Sequence, residues 1–110
     1  MHISIANFYL LSVTGLPMPA ELDSIEMEKK VTAKADVVSW LKRSLEAVRT
    51  ARATLKPADL QRRVTVQGVD TNVEGMYLRI VVHASEHMGQ LIAYARMTGV
   101  VPPWSAATAN

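Results

Sequence analysis

At 110 residues the chain has room for one domain with a single modest core. A formal charge of +2 is too small to imply a nucleic-acid partner on its own, and a composition that is 49% apolar and 20% charged fits a soluble globular protein with no membrane association. The chain has no cysteine, which fits a cytoplasmic protein and excludes disulfides, a thiolate zinc site and a cysteine nucleophile, so any thiol chemistry must bring its sulfur from outside.

The first segment, His2 to Thr14, reads H-I-S-I-A-N-F-Y-L-L-S-V-T and ends at Gly15, with Pro17 just beyond. Glycine after the last turn and proline behind it are helix stop signals. The segment is apolar almost all round, from Ile3 through Phe8, Leu10 and Leu11 to Val13, and such a helix has to be covered on more than one side. It is not expected to act as a signal peptide, because no Lys/Arg-bearing region leads it. It is also short of the roughly 20 residues that span a bilayer as a helix. No capping side chain precedes it, so the sequence reads as if it starts partway into a helix.

Leu16 to Val31 is a connector in which Pro17 and Pro19 precede the acidic positions Glu21, Asp23, Glu26 and Glu28, expected to be solvated. A second helix is predicted over 33–55, with Thr32 as N-cap and Asp36 near the positive end of its dipole. Val37, Val38, Leu41, Leu45, Val48, Ala51 and Leu55 form its apolar stripe, flanked by Trp40 and Ala47. Its other face carries Lys34, Lys42, Arg43, Arg49 and Arg52. Too few aromatics are interleaved with these for a nucleic-acid surface, so the face reads as solvated. Ala58 to Asp70 is read as irregular. Val64 to Val66 is extended-prone, but no second strand of similar quality is evident and no sheet is expected.

The last helix has the clearest start, Thr71-Asn72-Val73-Glu74, which reads as a capping box with Thr71 at the cap. It is predicted over 72–98, stopping at Gly99 with Pro102 and Pro103 behind it, a length of about 40 Å. Trp104 is expected to cover a bundle end, and the tail from Ser105 to be loose. The fold expected is all-α, an up-and-down bundle of three main helices forming one domain over 1–110.

On this last helix His83 and His87 stand four residues apart, about 40° apart around the axis and one turn along it. Two imidazoles so placed can share one transition-metal ion without backbone movement. Gln90 and Tyr94 continue the same stripe and would line a pocket beside it. The chain holds three histidines in all, His2, His83 and His87, and a catalytic metal site normally takes three protein ligands. The stretch His83-Ala84-Ser85-Glu86-His87 also matches the inverted zinc-protease pattern. That reading needs a later carboxylate ligand, and no Asp or Glu follows Glu86.

The stretch from His83 through Gly89, Gln90, Leu91, Tyr94, Arg96 and Gly99 to Pro102-Pro103-Trp104-Ser105 resembles the closing motif of the DinB-like superfamily of metal-binding four-helix bundles. The opening H-I-S-I-A-N-F-Y-L resembles that family's second helix, which carries its first metal histidine. The resemblance implies His2, His83 and His87 as ligands of a divalent transition metal, zinc or nickel. It also implies a low-molecular-weight thiol cosubstrate, several members being similar to S-transferases or isomerases. The family's first helix has no counterpart ahead of His2. A short first helix would leave half of the last one bare, so a homodimer is expected, as the resemblance also implies. Three neutral imidazoles leave the ion doubly charged, able to activate water for hydrolysis or a thiol for transfer. Gln90 and Tyr94 would then orient substrate or donate a proton, Tyr9 would be a further pocket residue, and Arg79 would meet an anionic group. The alternative is a non-catalytic, metal-stabilised and stress-related helical binding protein.

Overall fold

A computed structural model describes residues 1–22 and 26–106. In chain order the elements are α1 (His2–Ser12), α2 (Glu26–Lys30), α3 (Lys34–Ala53), α4 (Pro57–Leu60), β1 (Arg63–Val66), β2 (Val69–Asn72), α5 (Val73–Met97) and α6 (Pro103–Ala106). Asp23 of the acidic run and the end of the tail, 107–110, lie outside the described residues.

Helix α1 lies between the two long helices and packs on both α3 and α5, which accounts for a sequence with almost no polar face. Leu10 and Leu11 join Val64, Val66, Val73, Met76 and Ile80 in the core, while Ser4, Asn7 and Phe8 are also buried. Asn7 donates from Nδ2 to Ser44 Oγ of α3 at 3.1 Å, and the Ser44 hydroxyl donates in turn to the Leu41 carbonyl at 2.9 Å. Ser44 is fully buried, whereas Val38 and Leu45 are 40% and 46% exposed. The face α3 turns inward is therefore rotated from the predicted stripe. A buried asparagine on α1 needs a polar partner, and a hydrophobicity pattern cannot show that a serine supplies it. Asn7 Oδ1 is buried with no hydrogen-bond partner among the described residues. Helix α3 starts after Ala33, with no side-chain cap in place of the expected Thr32.

The expectation of no sheet is corrected. Strands β1 and β2 pair antiparallel, with Arg63 opposite Asn72 and Val66 opposite Val69. Gln67 and Gly68, at φ of 50° and 81°, make a two-residue turn whose left-handed backbone suits the twist of a hairpin. Val64 and Val66 point into the core and Arg63 and Thr65 away from it. The second strand, Val-Asp-Thr-Asn, is only partly covered and carries little apolar signal. Gln-Gly is also a weaker turn marker than Asn-Gly.

The hairpin feeds directly into α5, and the cap there is Asn72, not Thr71. The Asn72 side chain accepts from the Gly75 amide at 2.8 Å. Thr71 and Asn72 both belong to β2, and Glu74 accepts from Gln61 Nε2 at 3.4 Å. Val73, Met76, Ile80 and His83 form the buried stripe of α5, the spacing of one helical face. Beyond His83 none of the α5 residues is buried, and Leu78, Val81, Met88, Leu91, Tyr94 and Met97 are exposed. After Gly99, α6 turns the chain back so that Pro102, Pro103 and Trp104 flank a groove with Met88, Leu91 and Ile92. Trp104 stays 65% exposed, so it borders that groove and does not close a bundle end as expected. Ser105 and Ala106 sit in α6. Among the described residues no helix is long and apolar enough to cross a membrane.

Because Asn72 supplies the first bond of α5, Asn72→Ala is expected to cost about 1 kcal/mol in urea unfolding, and Asn72→Asp to recover most of that loss.

Candidate metal centre

The site forms where the start of α1 meets the middle of α5. The two helices run antiparallel, since Leu10 and Leu11 pack near Val73 and Met76 while His2 reaches His83 and His87. His83 lies on the buried stripe of α5, three residues after Ile80, and is 9% exposed. His87 follows one turn later and is half-buried. His2 is the first residue of α1, with its side chain 57% exposed. All three expected histidines are thus brought together.

The ring centroids are 5.2 Å apart for His2 and His83, 4.9 Å for His2 and His87, and 4.6 Å for His83 and His87. His83 Nε2 and His87 Nε2 approach to 3.0 Å. One possible ligand nitrogen from each ring lies within 4.8 Å of the others. Nitrogens on a tetrahedral zinc ion, bound at about 2.0–2.1 Å, stand about 3.3–3.4 Å apart. The pair on α5 is already at that scale, and a modest inward move of His2 completes the set. The donors are all imidazole, which suits zinc, nickel, copper or iron over calcium or magnesium. The residues present therefore fit a transition-metal ion.

Electrostatics favour the ligand state of His83. Burial holds its pKa below the ordinary imidazole value, and the neighbouring positive charges of His87, Arg79 and His2 push the same way, opposed by Glu86. A neutral imidazole is the form that binds a metal. Glu86 itself pairs with Arg79 at 3.3 Å and is not part of the cluster.

The cluster divides two cavities, and His2 lines both. One, of about 330 Å³, is walled by Val37, Leu41, His87, Gln90, Leu91 and Tyr94, so both residues expected beside the site are there. The other, of about 480 Å³, is more polar and is bordered by Tyr9, Glu28, Gln67, Arg79 and His83. Two of these were not legible as site residues. Glu28 on α2 meets His2 Nδ1 through Oε1 at 2.7 Å, but its sequence context is only an acidic run. Gln67 reaches the cavity because the hairpin turn puts it there, and its signal was hidden with the hairpin.

A family model of the DinB superfamily matches residues 2–91. No curated protein and no solved structure matches the chain. The matched span opens on His2 and includes His83, His87 and Gln90, while Tyr94 and the Pro102-Pro103-Trp104 segment lie past its end. With the match extending over most of its length, the chain belongs to the DinB superfamily.

Proposed function

We propose that this protein is a metal-dependent enzyme in which His2, His83 and His87 hold one divalent transition ion, zinc or nickel. The reaction proposed is S-transfer from a small thiol, or hydrolysis, on a small-molecule substrate. One observation carries the reading: three imidazoles on two helices converge between two cavities that give access from either side. Such an ion, held by neutral ligands, supplies a double positive charge that makes a water or thiol acidic near neutral pH.

The chain's own residues then divide the work. Burial biases His83 toward the neutral form, the form that binds a metal. Val37, Leu41 and Leu91 offer apolar surface to a substrate on one approach, and Gln90 and Tyr94 offer an amide and a phenol to orient it or pass it a proton. On the other approach Tyr9 and Arg79 offer a hydroxyl and a cation to a polar or anionic group. A thiol cosubstrate has to be external, because the sequence lacks cysteine.

We also propose that the protein works as a homodimer. Leu78, Val81, Val82 and Met88 are exposed apolar residues along α5, with Ser85 between Val81 and Met88, and exposed apolar surface favours association.

Three outcomes are expected. The purified protein binds about one zinc or nickel equivalent, and conjugation of an electrophile with one of a panel of small thiols, or hydrolysis of an ester, stops when a chelator removes the metal. His87→Ala loses more affinity than the roughly 10–100-fold typical of residues behind a ligand. If metal binds but no thiol supports turnover and chelation only lowers the melting temperature, the protein is a non-catalytic metal-stabilised module.

The second outcome concerns pH. In the unfolded chain His83 titrates near 6.5, and in the folded chain lower. Between those values the unfolded state binds more protons, so stability rises with pH there. The metal-free protein is therefore expected to lose stability as pH falls below about 6.5, with no contribution from His83 above it. Chemical denaturation from pH 5 to 8 measures this. Third, light scattering should give a dimer for the wild type and a monomer for Val81→Glu.

A further inference from the structure

We propose that Glu28 is the positioning residue of this centre: its carboxylate fixes His2 in the tautomer that leaves Nε2 as the metal donor, and an ion bound there fastens α2 to the site. The inference rests on the metal-centre reading and adds to it a residue from a different part of the chain.

His2 needs such a partner. It opens α1 with no side-chain cap at the helix start, and its ring is more than half exposed. First-turn groups of a helix have fewer internal bonds than those further in, and an exposed ring samples several rotamers. His83 is buried, whereas the exposed ring of His2 has edge contacts to the rings of His83 and His87. Glu28 Oε1 meets His2 Nδ1 at 2.7 Å, the short end of the range for a charge-assisted bond. Nδ1 donates and the carboxylate accepts, which places the ring proton on Nδ1 and leaves the Nε2 lone pair free. Glu28, His2 and His83 border the same 480 Å³ cavity.

The position of Glu28 on α2 gives the contact a second consequence. None of the α2 residues is buried. The Lys29–Glu26 pair at 3.5 Å stays within α2, whereas Glu28 reaches out of it to the site. Without metal, an imidazole–carboxylate contact between groups this exposed contributes little. A cation on Nε2 withdraws electron density from the ring, makes Nδ1–H a stronger donor and tightens the bond. Carboxylates behind metal-bound histidines act in this way. Linkage then runs in both directions: the factor by which Glu28 raises metal affinity equals the factor by which metal favours the docked α2.

The test compares the wild type with Glu28→Ala and Glu28→Gln, using zinc alone as the probe. Expected results are a 10–100-fold loss of zinc affinity in Glu28→Ala and a smaller loss in Glu28→Gln, whose amide oxygen still accepts. The metal-free melting temperature should be unchanged in both variants, which a merely structural role would not give. In nitrogen NMR of the zinc-loaded wild type, His2 should carry its proton on Nδ1 and show the metal shift at Nε2. Hydrogen exchange at residues 27–31 should slow on zinc binding in the wild type and not in Glu28→Ala. Equal zinc affinity in all three proteins, ligation of His2 through Nδ1, or zinc-independent exchange at α2 would overturn the proposal while leaving a three-histidine centre intact. Failure of the wild type to bind zinc would overturn both.

Discussion

The packing of α1 between α3 and α5 is the constraint from which the rest follows. An eleven-residue helix that is apolar on nearly every side can lower its exposure only by entering a seam between two others. Once it does, its leucines meet the hairpin and the first half of α5, and its opening residue is carried to the middle of that helix. The three histidines therefore meet because of burial elsewhere. Nothing local to His2 would bring it to His83, 81 positions away in the sequence.

Periodicity is informative here where one element buries one stripe. Helix α5 keeps a regular apolar row through Met76 and Ile80 to His83, so its direction and the pairing of His83 with His87 can be read directly. Helix α3 is harder. Its apolar residues cover more than one face, and the choice between them is made by Asn7, a polar residue on another helix whose partner is Ser44. The hairpin is hidden for a different reason. Its second strand is mostly polar and its turn uses glutamine in a left-handed conformation, so neither strand pattern nor turn chemistry announces it. The cap of α5 lies one residue beyond the expected one because Thr71 and Asn72 are both good caps, and it is the Asn72 side chain that accepts from a first-turn amide, that of Gly75. Glu28 lies at the far limit of legibility, since a contact between residues in separate elements leaves no trace in spacing.

The site combines unequal surroundings with identical side chains. His83 is enclosed, His87 is half covered and His2 faces water through Glu28. The flanking cavities differ in the same sense, one walled mainly by aliphatic side chains and the other by Tyr9, Arg79 and Gln67. Two reactants of different polarity could then approach one centre from opposite sides without competing for the same wall. Membership of the DinB superfamily does not by itself require that division. It comes from how this chain places α1 and the hairpin tip around the histidines.

The buried Asn7–Ser44 pair acts as a ruler for this arrangement. Purely apolar helices can slide past one another with little change in buried area, but a one-turn slip here would strand the Asn7 amide between the helices, at about 1–3 kcal/mol for the unpaired group, while Ser44 would keep its bond to the Leu41 carbonyl. The same slip would displace His2 by about 5.4 Å, farther than any ligand nitrogen now stands from its neighbours. An asparagine that pairs only one of its two polar atoms thus sets the longitudinal register of α1, and with it the reach of an imidazole more than a helical turn away.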